Sequence, residues 1–206
     1  MSAGDDAAVD PAEAAHGLFL IVPPDAGPDP GAGLEAVLTL GVTVGVLLPD
    51  DAAPTLRSAC RAAGVAAFAA SLDGGRALQA DGVLLDDAAG VGATRRQLGT
   101  TALVGARVGV SRHAAMVAGE DGADFVAFGA SDHPVSERLL EVIAWWSELM
   151  VLPSLALASP LEPAAAARLR AAGADFLGVA WPMLVADPPG AAAALASAFG
   201  LDARRG

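Results

Sequence analysis

The feature that most constrains this chain is a regular alternation. Short apolar runs of about five residues take turns with alanine-rich stretches from one end to the other, and three of the runs open on nearly the same letters. "GADFVAFGASDHP" runs from Gly122 to Pro134, "GADFLGVAWP" from Gly173 to Pro182, and "QADGVLLDD" from Gln79 to Asp87. Continuous apolar strands separated by helices predict a parallel sheet covered on both faces. The strands are expected at Leu18–Val22, Val42–Leu48, Val65–Ala69, Gly82–Leu85, Arg107–Val110, Phe125–Phe128, Ser154–Leu157 and Phe176–Val179. Helices are expected at Leu34–Leu40, Ala52–Ala63, Gly75–Ala80, Ala88–Leu98, His113–Gly119, Val135–Met150, Glu162–Ala172 and Gly190–Phe199. Eight such units predict the α/β class and a single (β/α)8 TIM barrel. An open doubly wound sheet is the alternative, weakened because no G-x-G-x-x-G follows the first strand.

The shared letters have a physical meaning. In "AAGADF" a helix ends at Ala172, Gly173 supplies the position after its C-cap, and the chain turns into a strand; "GEDGADF" repeats this at Gly122. The short Ala-Asp turn belongs to the αβ side of the barrel, where residues serve stability. The endings that differ, "GASDHP", "AWP" and "LDD", fall at the C-terminal strand ends, where function is built.

Composition excludes several kinds of chemistry. With 206 residues and 54% hydrophobic content the chain suits one well-cored domain. All twelve basic residues are arginine, so a Schiff base, a lysine general base and a P-loop lysine are absent. The net charge of −12 and the lack of a basic stripe argue against nucleic acid as a partner. No apolar run is long enough to span a bilayer, which argues against a membrane role. Residues 1–16 are expected to form a flexible acidic tail rather than a signal peptide, with residues 17–206 forming the barrel and the cytoplasm as the compartment. Cys60 stands alone, which rules out an internal disulfide and a Cys-based zinc site, and "LRSACRAAG" places it as a packed small hydrophobe.

"GLFLIV", "QADGVLLDD", "GVSRHAAMVAGEDGADFVAFG", "VIAWWSELM" and "LPSLALASPLEPAAAARLRAAGADFLGVAWPM" together resemble the thiamine phosphate synthase/TenI family, over roughly Gly17 to Gly200. The resemblance implies a barrel that joins a pyrimidine diphosphate to a thiazole phosphate in thiamine biosynthesis. It also implies Mg²⁺ held by carboxylates, and phosphates held by backbone amides. The working motifs depart from that pattern. Leu47 and Pro49 stand where the family has cations, and Ala69, Ala70 and Ser71 replace an Asn-Asp-Arg that includes a metal ligand. Leu84 stands in for a histidine, residues are missing between Ser111 and Arg112, and "GASDHP" replaces a Phe-Pro-Thr loop. "ASPL" replaces a glycine turn that cradles phosphate, where Pro160 removes an amide donor. Trp181 and Pro182 replace small residues of the same cradle. The expectation is a synthase-like barrel with a degraded synthase site. The alternative is a non-catalytic pseudoenzyme that serves as a small-molecule-binding or regulatory module.

The remaining candidates sit at the strand ends. Asp86 and Asp87 could hold Mg²⁺, or cap the helix at Ala88–Leu98. Ser131, Asp132 and His133 form the richest polar cluster, with His133 and Asp132 as the acid–base candidates; "SDHP" also reads as a turn. Ser111 and Arg112 could offer a cap and a guanidinium to the phosphate of a small phosphorylated heterocycle. Ser159 could cap the seventh helix. Trp181 could stack on a ring or plug the mouth. Trp145 and Trp146 share one helix, where one packs on the barrel and the other could meet a second copy or another protein.

Overall fold

In a closed parallel sheet every strand is covered inside by its neighbours and outside by helices, so unbroken apolar runs are what such a sheet demands. The computed structural model, which describes residues 16–24, 26 and 30–201, has that closed form. Eight strands follow one another around the barrel in chain order, all parallel. They are β1 (Gly17–Ile21), β2 (Thr43–Leu48), β3 (Ala66–Ala69), β4 (Gly82–Leu85), β5 (Leu103–Gly109), β6 (Phe125–Gly129), β7 (Ser154–Leu157) and β8 (Phe176–Ala180). The helices are α1 (Pro30–Leu38), α2 (Pro54–Ala62), α3 (Leu72–Leu78), α4 (Val91–Leu98), α5 (Arg112–Glu120), α6 (Glu137–Leu149), α7 (Pro163–Ala171) and α8 (Pro188–Ala198). A short 3-10 turn, Trp181–Met183, lies between β8 and α8. The fold is thus a single (β/α)8 barrel, and the open sheet is set aside. Residues 1–15 of the expected tail lie outside the described residues. No helix among the described residues is long and apolar enough to cross a membrane.

Alternation along each strand sorts side chains into two cores. Phe19, Ile21, Leu47, Phe68, Leu84, Phe125, Leu155, Leu157 and Phe176 fill the barrel interior. Leu18, Val46, Val83, Val104, Val126 and Leu177, from the opposite faces, join the helices in an outer shell with Leu34, Ile143, Trp146 and Leu169. Inside, phenylalanines need glycine as their neighbour. A Cβ on Gly45 would stand 2.7 Å from the Phe19 ring, and one on Gly105 would run into Phe125. This need explains β5, which begins at Leu103 rather than at the expected Arg107. "LVGA" has a weak strand propensity, but tertiary packing overrides it.

The repeated Ala-Asp turn is a clamp. Gly122 and Gly173 hold φ of +93° and +95° after the helix ends, as the repeat requires. The aspartate that follows reaches sideways to the preceding strand. Asp81 accepts the Ala67 amide at 2.8 Å, Asp124 the Val104 amide at 2.7 Å, and Asp175 the Ser154 amide at 2.8 Å. Each carboxylate thereby satisfies an N–H that the first residues of a strand leave without a ladder partner. Asp124 is held in turn by Arg95, which also donates to the Gly122, Gly99 and Ala102 carbonyls.

Candidate functional site

The C-terminal strand ends form the mouth, and its most consequential side chain was not among the expected site residues. Arg107 lies in β5 opposite Ala127 of β6, and Ala127 belongs to the inner core. Register partners in a parallel pair share a face, so Arg107 projects into the barrel above Gly105. Its side chain is 27% exposed, its Nε lies 3.6 Å from Asp86 Oδ1, and that buried Nε makes no hydrogen bond among the described residues. Period-two alternation from Leu103 would have found it. Starting the strand at Arg107 concealed the inward phase.

The expected residues are divided by the fold. Asp86 pairs with Arg107, while Asp87 Oδ1 accepts the Gly90 amide at 3.2 Å in the turn ahead of α4. The two carboxylates therefore engage different partners. Among the described residues, no group of three or more His, Cys, Asp or Glu side chains is arranged to hold a metal ion. Asp132 and His133 do meet, with Oδ1 2.7 Å from Nδ1, and both are well exposed on the rim. That hydrogen bond holds the Asp132 carboxyl below its ordinary value, helped by the more distant charge of Arg107. Ser131 Oγ, beside them, is buried without a hydrogen-bond partner. "SDHP" forms the turn, but the cap of α6 is Ser136, which accepts the Leu139 amide.

Ser111 caps α5, accepting from the Ala114 amide at 3.2 Å. Arg112 stacks over Trp145, its guanidinium carbon 4.7 Å from the ring centroid. Together with Arg138 and Glu141, Ser111 and Arg112 border a cleft of about 410 Å³ between the start of α5 and α6. Trp146 is the packed member of the pair: it is buried, and its indole N–H donates to the Leu152 carbonyl at 2.7 Å.

Two expectations need correction. Ser159 does not cap α7, whose N-cap is Glu162; instead the Ser159 amide donates to the His133 carbonyl at 2.8 Å and ties the last loops of the mouth together. The cause is the run Ser159-Pro160-Leu161, which carries the chain inward and buries Leu161 before the helix begins. Trp181 is neither a stacking surface nor a plug in the mouth. It is 3% exposed in the outer shell, its ring against Gly33 of α1 and near Pro188.

No family model matches the chain. Among curated proteins it is similar to a thiamine-phosphate synthase of Hyphomonas neptunium, with 37% identity over 188 residues that take in 79% of this chain and 83% of that one. It is 44% identical over 90 residues to a thiamine-phosphate synthase of Rhodospirillum centenum, and 43% identical over 110 residues to one of Erythrobacter litoralis. Those two matches cover 43% and 51% of the relatives, so the chain spans about half the length of each. In three dimensions it resembles a thiamine phosphate pyrophosphorylase from Pyrococcus furiosus, with a TM-score of 0.75 at 21% identity over 93% of this chain and 98% of that one. It also resembles an orotidine 5'-phosphate decarboxylase from Pyrococcus horikoshii, with a TM-score of 0.62 at 16% identity over 89% of this chain and 99% of that one. At those identities the likeness is one of fold.

Proposed function

Because the chain belongs to the thiamine-phosphate synthase family, we propose that it is a diverged member that binds a small, singly phosphorylated heterocycle at the barrel mouth and does not form thiamine phosphate. The observation that carries this is the charge balance around Arg107. The cation that faces the mouth is met at 3.6 Å by Asp86. A diphosphate needs several cations or a metal both to be held and to leave. The other candidate cation, Arg112, is stacked on Trp145, and Arg138 beside it shares the cleft with Glu141. Pro160 has no N–H to offer, and the loop around it buries Ala158 and Leu161 instead of opening a cradle of amides.

A resident Mg²⁺ does not fit this donor set, since one aspartate faces a guanidinium and the other bonds a turn amide. One guanidinium does suit a single phosphate, which it can grip through two parallel N–H bonds. The exposed Asp86 side chain swings aside at little cost, because ion pairs in water are weak.

The test is direct. The purified chain is given the pyrimidine diphosphate, the thiazole phosphate and Mg²⁺, and thiamine phosphate is measured. Calorimetry with the thiazole phosphate alone follows, for the native chain and for Arg107→Leu. The expected result is no product, with heat of binding that Arg107→Leu abolishes while circular dichroism is unchanged. Robust turnover would overturn the loss of synthase chemistry, and binding that survives Arg107→Leu would remove Arg107 from the site.

A further inference from the structure

The largest concentration of aromatic surface in the molecule lies at the opposite end of the barrel from the mouth. Four of the chain's six phenylalanines, Phe19, Phe68, Phe125 and Phe176, line a cavity of about 360 Å³ that opens at the N-terminal ends of the strands. Val44 and Leu103 belong to its wall. The rings are mutually braced: Phe19 and Phe68 stand 5.0 Å apart, and Phe68 meets Phe125 edge to face at 5.6 Å. Glycines at 45, 82 and 105 admit those rings, so the aromatic wall is fixed by its neighbours and not free to collapse inward.

The cavity makes no demand for hydrogen bonds. Among the described residues its one charged lining residue is Asp124, whose Oδ2 is already committed to the Val104 amide and to Arg95. The arginine is likewise engaged, with three backbone carbonyls. An anionic ligand would therefore meet a carboxylate and find no free cation among the described residues. Apolar cavities of less than half this volume bind benzene-sized molecules, and pockets of about 300 Å³ and above take small ligands generally.

We propose that this N-terminal cavity is a second binding site, specific for a flat, apolar molecule of one or two rings that carries no negative charge. It is independent of the mouth, and of whatever ligand the mouth takes. The offset and edge-on arrangement of the phenylalanine rings favours an aromatic guest over a branched aliphatic one of equal size.

The experiment titrates fluorobenzene into the full chain and follows it by fluorine NMR, with sodium benzoate as the charged counterpart. The expected result is saturable one-to-one binding of fluorobenzene and affinity for benzoate weaker by about tenfold or more. Val44→Phe, which fills the cavity from its wall, should abolish the fluorobenzene response. Should that variant fail to fold, nuclear Overhauser contacts between the bound probe and the rings of Phe19, Phe68, Phe125 and Phe176 in the native chain decide the matter. Absence of saturable binding, contacts to other residues, or equal affinity for benzoate would overturn the proposal. So would binding that appears only after residues 1–15 are deleted, since β1 begins at this end and the cavity would then belong to the chain's own N-terminal segment.

Discussion

Replacing the three clamp aspartates one at a time should destabilise the barrel by amounts set by their partners. Asp124→Ala removes a charged acceptor from the Val104 amide, and such bonds are worth about 1.5–3 kcal/mol. It also strips Arg95 of its carboxylate partner. That adds only about 0.5–1 kcal/mol, because the Asp124 side chain is 38% exposed and water screens the pair. The sum is about 3 kcal/mol. Asp175→Ala gives up the Ser154 amide at 2.8 Å and the Ser154 hydroxyl at 3.0 Å, two bonds to a charged acceptor with no cation involved, for about 3 kcal/mol. Asp81→Ala loses the Ala67 amide bond and should cost about 1.5 kcal/mol. With a urea slope of about 2 kcal/mol per molar, the midpoints should fall by about 1.5 M at Asp124 and at Asp175 and by about 0.75 M at Asp81. Asp124→Asn keeps an oxygen for Val104 but drops the charge, and should fall between the native chain and Asp124→Ala. Urea unfolding followed by far-ultraviolet circular dichroism reads all four. Equal losses at the three positions, or a loss at Asp81 greater than at Asp124, would refute the assignment of these carboxylates as strand clamps graded by their partners.

Two further outcomes concern ionisation. Burial pushes the Cys60 thiol up to about 12, with the charge of Asp81 adding to the effect, so the folded chain should resist alkylation at pH 8 and react promptly in denaturant; rapid labelling of the native chain would contradict its packing. Asp132 should titrate below an ordinary aspartate, and His133→Ala should return it upward, as read by carbon NMR of the carboxyl. Because the folded value is the lower one, any stability from this exposed pair is present above the unfolded value and is lost as pH falls through the folded one.

Much of the fold is legible in the sequence because burial on both sheet faces writes strands as plain apolar words. Gly82–Leu85 and Ser154–Leu157 have the expected bounds for that reason. Helix ends shift by up to four residues, and a cap can choose the start, as at Asp187, whose carboxylate accepts the Gly190 amide and opens α8 at Pro188. Leu103–Ala106 was illegible because its glycine answers to a ring on the neighbouring strand, a requirement no local propensity expresses. The candidate site divides along the same line. Asp132 and His133 are adjacent in sequence, so their pairing could be read directly. Arg107 and Asp86 come from different strands, and their meeting depends on barrel closure. Trp181 follows a strand as a ligand-facing residue would, but the 3-10 turn and α8 draw it outward into the shell between barrel and helices.

The clamps also divide the molecule in a way its smooth symmetry conceals. Asp81 binds β4 to β3, Asp124 binds β6 to β5, and Asp175 binds β8 to β7, always within an odd–even pair. At the remaining pair the backbone does the tying, with the Leu18 amide on the Val42 carbonyl. Three of the four odd–even pairs therefore carry a carboxylate clamp, while β1–β2 and the four seams are joined by backbone bonds and packing. A gene cut at a seam, between β4 and β5 or between β6 and β7, leaves every clamp whole on one side or the other. A cut between β3 and β4, β5 and β6 or β7 and β8 severs one. Those seams are where the chain can be divided without breaking an aspartate clamp.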